Sequence, residues 1–191
     1  MAWEPDYATA EDLAEYLQIN PESVPEGRLE LAVTAASRMV DKFAGRQFGK
    51  VAEAEQRVYD MWPDYERGVM VATVDDLMDL DGLVVEVDGA TVTDYRLEPR
   101  NAVAKGRPYT RIMVRRGSTL AATAKWGWSP SWPDTITKAT LLQASRLFKR
   151  VDAPFGIAGS PDLGGEARLL ARVDPDVAVM LAAYRRAGGL G

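Results

Sequence analysis

The 191-residue chain is 47% hydrophobic and 27% charged, with a formal net charge of -5, proportions that exclude wholesale disorder. It contains no cysteine and no histidine, which removes disulfides, thiolate and imidazole metal sites, the Ser-His-Asp triad and a cysteine nucleophile. An acidic chain is a poor general ligand for DNA phosphates, and no stretch carries the run of apolar residues that a bilayer span needs.

The opening residues, MAWEPDYATAEDL, have neither a basic n-region nor an apolar h-region, so a cytoplasmic location is expected. A first helix is predicted from about Ala10 to Ile19, with Thr9 as N-cap and Asp12 completing a capping box. Asn20-Pro21 ends it, because a residue before proline is pushed out of the helical region. A second helix is predicted from Pro25 to Ala44, with Ser23 and Glu26 as a further capping box. Leu29, Val33, Ala36, Val40 and Phe43 fall on one stripe of period 3.6, Ser37 lies on the remaining faces, and Gly45 is placed to terminate the helix.

From Gln56 to Trp126 β-branched runs alternate with turn residues. Segments 69–74, 83–87, 110–116 and 122–126 read as strands, and Asp81-Gly82 and Asp88-Gly89 as tight turns. A long helix then follows Pro133 and runs to about Arg150, with an apolar surface broad enough for burial on more than one side. Residues 152–166 have a loop composition, and a last amphipathic helix is expected after Asp174-Pro175, carrying Val177, Met180, Leu181 and Tyr184 on its apolar stripe. The fold class is therefore α+β: a helical frame of about four helices with an inserted small antiparallel β module. The boundaries fall at residues 1–50, 51–128 and 129–191.

Four features invite a chemical reading. Asp75, Asp76, Asp79 and Asp81 are the densest acidic cluster, but an EF-hand starting at Asp76 would put Asp81 where glycine is required, so a solvated strand edge or turn is expected. GSPDLGGEAR lacks the Lys-Ser/Thr of a phosphate-binding loop. Trp126, Trp128 and Trp132 suit either a stacking platform or large core anchors where the modules join, and the acidic balance favours anchors. Arg111, Arg115 and Arg116 on a strand, and Arg146, Lys149 and Arg150 on a helix end, suit solvated faces or inter-subunit ion pairs better than phosphate contacts. The C-terminal helix has two open readings: packing on its own core, or docking in a partner's groove. No catalytic residue, cofactor site or metal site emerges.

Four stretches, taken in order, resemble the head-to-tail adaptor (head-tail connector) proteins of tailed phages. They are the opening helix pair ending in AGRQF (44–48), the β insert with its VEVDG turn (85–89), KWGWSPSWPDTITKATLLQASRLFKR (125–150), and APFGIAGSPDLGGEARLLARVDPDVAVMLAAYRR (153–186). The resemblance implies a non-enzymatic virion protein of the phage neck, assembled in the host cytoplasm. It implies a ring of about twelve copies beneath the portal protein, lengthening the DNA channel. DNA passes without sequence-specific binding, further neck or tail-completion proteins bind below, and no membrane is involved. Carried over, Asp174, Val177, Leu181, Tyr184, Arg185 and Arg186 become portal-contact candidates, and Pro154, Phe155 and Gly156 candidates for subunit or portal contact. The competing expectation is a ligand- or polysaccharide-binding module that uses the β insert and the tryptophans.

Overall fold

A computed structural model describes residues 4–151, 157–158, 167–168 and 173–186. The chain divides into two compact units, one formed by 1–47 with 133–191 and the other by 48–132. The β-rich unit thus sits in sequence between two helical stretches, its ends three to four residues outside the expected 51–128.

In the helical unit, α1 spans Ala10–Leu17 and begins with the predicted capping box: Asp12 N donates to Thr9 Oγ1 at 3.1 Å, and Thr9 N to Asp12 Oδ2 at 2.8 Å. Helix α2 spans Arg28–Ala44, three residues shorter than predicted. The box expected from Ser23 and Glu26 does not form. Asn20 instead caps a short 3-10 turn at Pro21–Ser23, and Ser23 Oγ donates to Asn20 O at 2.6 Å. Leu29, Val33, Ala36 and Val40 are buried as the stripe requires.

Ser37 is buried too, against expectation. Its hydroxyl donates to Val33 O (2.9 Å) and accepts from Tyr7 N (3.1 Å), so a polar side chain enters the core fully bonded. Tyr7 OH donates to Asp41, and Thr34 Oγ1 donates to Asp6 Oδ2 at 2.7 Å. The residues before α1 are thereby fastened along α2. Helix α3, Asp134–Val151, packs against α1, α2 and α4, as its broad apolar surface predicted.

The β unit is a seven-stranded antiparallel sheet in the order β4-β3-β7-β1-β2-β6-β5. Its strands are β1 Glu55–Asp64, β2 Val69–Leu77, β3 Val84–Val87, β4 Ala90–Thr91, β5 Arg96–Glu98, β6 Tyr109–Val114 and β7 Thr119–Ala124. It is larger than the small module expected from four strand-like runs. The longest strand, β1, was missed because EQRVYDMWPD is half polar and contains Pro63. Residues 55–60 of β1 pair with β7 and residues 61–64 with β2, so Pro63 sits where β1 has a ladder partner on one side only.

The sheet curls back on itself at one end. Leu77 of β2 bridges in parallel to Gly127, just beyond β7. Gly127 N donates to Asp76 O (2.6 Å), and Met78 N to Gly127 O (3.2 Å). The core inside the curl holds Met61, Ala72, Val74, Leu77, Val85, Ile112, Leu120 and Trp126.

Candidate interaction surfaces

The C-terminal candidates fold into the helical unit itself. Helix α4 spans Pro175–Ala182. Asp174 caps it, accepting from Asp176 N at 2.8 Å, with Pro175 in the first helical position where its missing N–H costs nothing. The same residue ties the cap to α3: Asp174 N donates to Gln143 Oε1 at 3.1 Å, and Arg146 Nη1 pairs with Asp174 Oδ2.

Val177 and Leu181 are buried. Tyr184 is half-buried, its backbone N–H bonding Leu181 O. Arg185 lies over the Phe43 ring, 5.4 Å from its centroid, and Arg186 N donates to Ala44 O at 2.8 Å, satisfying a carbonyl at the end of α2.

Of the two open readings, packing on its own core is the one observed, because the apolar stripe is consumed by α2 and α3. Val177 and Leu181 present nothing to a partner while the helix is seated. The outward residue that the stripe did not single out is Val179, 76% exposed. Pro154, Phe155 and Gly156 lie outside the described residues. Ile157–Ala158, within the segment read as a loop, pairs with Ala167–Arg168, just beyond it, in a two-stranded antiparallel ladder, β8 and β9.

The acidic cluster of the β unit is dispersed into separate bonds rather than gathered. Arg57 bonds Asp75 at 2.9 Å and Tyr59 OH donates to the same carboxylate at 3.0 Å, while burial and the Asp75 charge push the Tyr59 phenol well up. Lys50 pairs with Asp79 and holds that carboxyl below its usual range.

Asp76 is buried, accepting from Trp128 Nε1 at 2.9 Å. A solvated edge is the wrong description of that residue. Period-two parity could have placed it, since Asp76 continues the inward row of Ala72 and Val74. Among the described residues, no group of three or more Asp, Glu, His or Cys is placed to hold a metal ion.

Trp126 and Trp128 are also buried. Trp126 Nε1 donates to Glu55 O at 2.9 Å, and the Trp128 ring tilts against Phe48 at 5.3 Å. Both indoles are core anchors of the β unit. Neither offers a stacking face, while Trp132, the third tryptophan of the cluster, is half-buried.

Sequence reasoning missed the exposed aromatics at the β1–β2 hairpin, Trp62 (68% exposed) and Tyr65 (89%). A large apolar side chain on the outward row of an unrecognised strand leaves no alternation signal to read. Beside them lies a cleft of about 800 Å³ walled by Arg67, Arg96, Arg100 and Arg115.

Among the described residues, no helix is long and apolar enough to cross a membrane. No protein-family model matches the chain, and no curated protein is significantly similar to it.

Proposed function

We propose that this chain is a structural head-to-tail adaptor subunit of a tailed phage, one of a ring that sits under the portal protein, extends the DNA channel and joins head to tail. The observation that carries the reading is the way the chain is divided: residues before 48 and after 132 make one helical unit, with a complete β unit inserted between α2 and α3. A frame of that kind, split by an insert of its own core, is what the resemblance of the four ordered stretches implies.

The acidic balance of the chain, -5, suits a channel wall past which DNA slides without adhering. In this reading the portal meets outward residues such as Val179 and Arg185, together with the segment around Pro154, Phe155 and Gly156. Val177 and Leu181 act indirectly, by seating the helix that carries Val179.

The test is to mix the purified chain with the portal protein of the same virus and image the product by electron microscopy. A symmetric ring of about twelve adaptor copies on the portal is expected. A folded chain that leaves the portal bare, or decorates it without symmetry, refutes the reading. Val179→Arg with Arg185→Glu should abolish attachment while leaving the circular dichroism spectrum intact.

A further inference from the structure

The two units carry grooves of opposite charge. The cleft of the β unit has four arginines against two carboxylates, Asp94 and Glu98. Glu98 is already engaged by Arg67 (3.0 and 3.2 Å) and by Arg111 (3.4 Å). The side chains of Arg96, Arg100 and Arg115 are exposed and make no ion pair or hydrogen bond among the described residues.

The cleft also continues an apolar row. Strand register places Trp62 opposite Val71, Val71 opposite Met113, and Met113 opposite Arg96, so these four share the outward face of β1, β2, β6 and β5. Opposite partners stand about 5 Å apart, which sets the exposed indole roughly 10 Å from Met113 at the cleft floor.

The helical unit has the complementary feature. Between the start of α1 and the start of α2 lies a groove of about 320 Å³ walled by Glu11, Glu22, Glu26 and Glu30, with Val24 and Leu29 between them and no basic residue. Those four carboxylates have no ion-pair partner among the described residues. Leu31 stands on α2 one residue beyond Glu30, 71% exposed.

We infer that the arginine wall of the cleft on one copy packs against the glutamate wall of the groove on the next copy. The two surfaces are different, so one such contact per pair of copies runs head-to-tail. Such a contact closes into a ring or continues as a filament according to the rotation it imposes. This deepens the adaptor reading and rests on it for closure; the junction itself stands on the two grooves.

Four unpaired carboxylates face three unpaired arginines, and an exposed apolar side chain stands near each groove, Trp62 by the cleft and Leu31 next to Glu30. DNA fits the cleft less well, because Asp94 and Glu98 stand in its wall. Exposed ion pairs of this kind are individually weak and screened by salt, so several must act together.

The experiment is sedimentation velocity on the full chain at low and high salt, with two charge reversals confirmed as folded by circular dichroism. One is Arg96→Glu with Arg100→Glu and Arg115→Glu; the other is Glu22→Arg with Glu26→Arg and Glu30→Arg. The wild type should self-associate at low salt and weaken roughly tenfold or more at high salt. Each reversal alone should be monomeric, and an equimolar mixture of the two should associate again, because each reversed surface then meets its complement.

A wild type that stays monomeric at low salt up to its solubility limit overturns the inference, as does association indifferent to either reversal, or a mixture that does not recover. Binding of a duplex oligonucleotide that the cleft reversal abolishes, without self-association, would reassign the cleft to phosphates. A cleft-reversed chain that still forms a symmetric ring on the portal would refute this junction and leave the adaptor reading standing.

Discussion

Replacing Gly127 by alanine should remove a large share of the β unit's stability, and the size of the effect follows from three neighbours. A Cβ built there would lie 1.9 Å from Gly49 O, 2.7 Å from Lys50 Cα and 2.8 Å from Gly49 C, all backbone atoms with no rotamer to yield. The residue also has φ +117, a conformation costing a side chain about 1–2 kcal/mol on its own. Relief requires the segment around Gly49 to part from Gly127. That breaks Trp128 N to Gly49 O (2.8 Å) and strains Gly127 N to Asp76 O (2.6 Å), each worth about 1 kcal/mol net.

The total is about 4 kcal/mol before any disturbance of Trp126 and Trp128. A unit of this size holds roughly 5–10 kcal/mol in all. Gly82→Ala is the control, because Gly82 (φ +71) has nothing within 4 Å of the added carbon, leaving only the conformational cost. Urea unfolding followed by tryptophan fluorescence and circular dichroism measures both. Equal losses for the two variants would refute the steric account.

Leu181→Ala should cost about 2–5 kcal/mol and raise amide exchange across 175–182, whereas Val179→Ala should stay within about 0.5 kcal/mol, since only Leu181 is buried; equal effects would contradict the seating of α4. Asp41 gives a signed pH dependence. Burial raises its carboxyl above the ordinary value of 3.8, although Tyr7 and Arg38 pull it down. The folded state therefore holds the proton more tightly, and this group adds stability as pH falls through its folded value towards 3.8. The urea midpoint of Asp41→Asn relative to wild type should be most favourable at neutral pH and decline on acidification; a difference that grows instead would reverse the assignment. Asp79 has the opposite sign, contributing stability above 3.8 that is lost below it.

The helical half of the fold was legible because its signals are local. Thr9 and Asp12 meet within one turn, and the α2 stripe repeats every 3.6 residues, so both could be read without knowing any partner. Strand β1 could not, because its pairing depends on β7, some sixty residues away, and its own residues are too polar to announce it. Asp76 was misplaced for a related reason: four aspartates close in sequence look like one cluster, whereas a strand sends neighbours to opposite faces.

For α4 the amphipathic pattern was correct but silent about where the apolar stripe goes, since the same stripe serves a core or a groove. The Arg146–Asp174–Gln143 contacts that decide it join residues about thirty apart. The two charged grooves were invisible for the same reason: Arg67, Arg96 and Arg115 become neighbours only through the β2–β6–β5 register.

The way the β unit begins and ends has a consequence for the helices flanking it. Val51 N bonds Trp126 O at 2.9 Å and Trp128 N bonds Gly49 O at 2.8 Å, so the chain enters and leaves this unit through one shared ladder. Before that ladder forms, α2 and α3 are the ends of a tether of about 90 residues; afterwards the effective tether is about ten, which lowers the entropic cost of bringing them together by roughly 2 kcal/mol. The insert thus works as a clasp on the chain, and the helical unit inherits part of its stability from a module whose core it does not share.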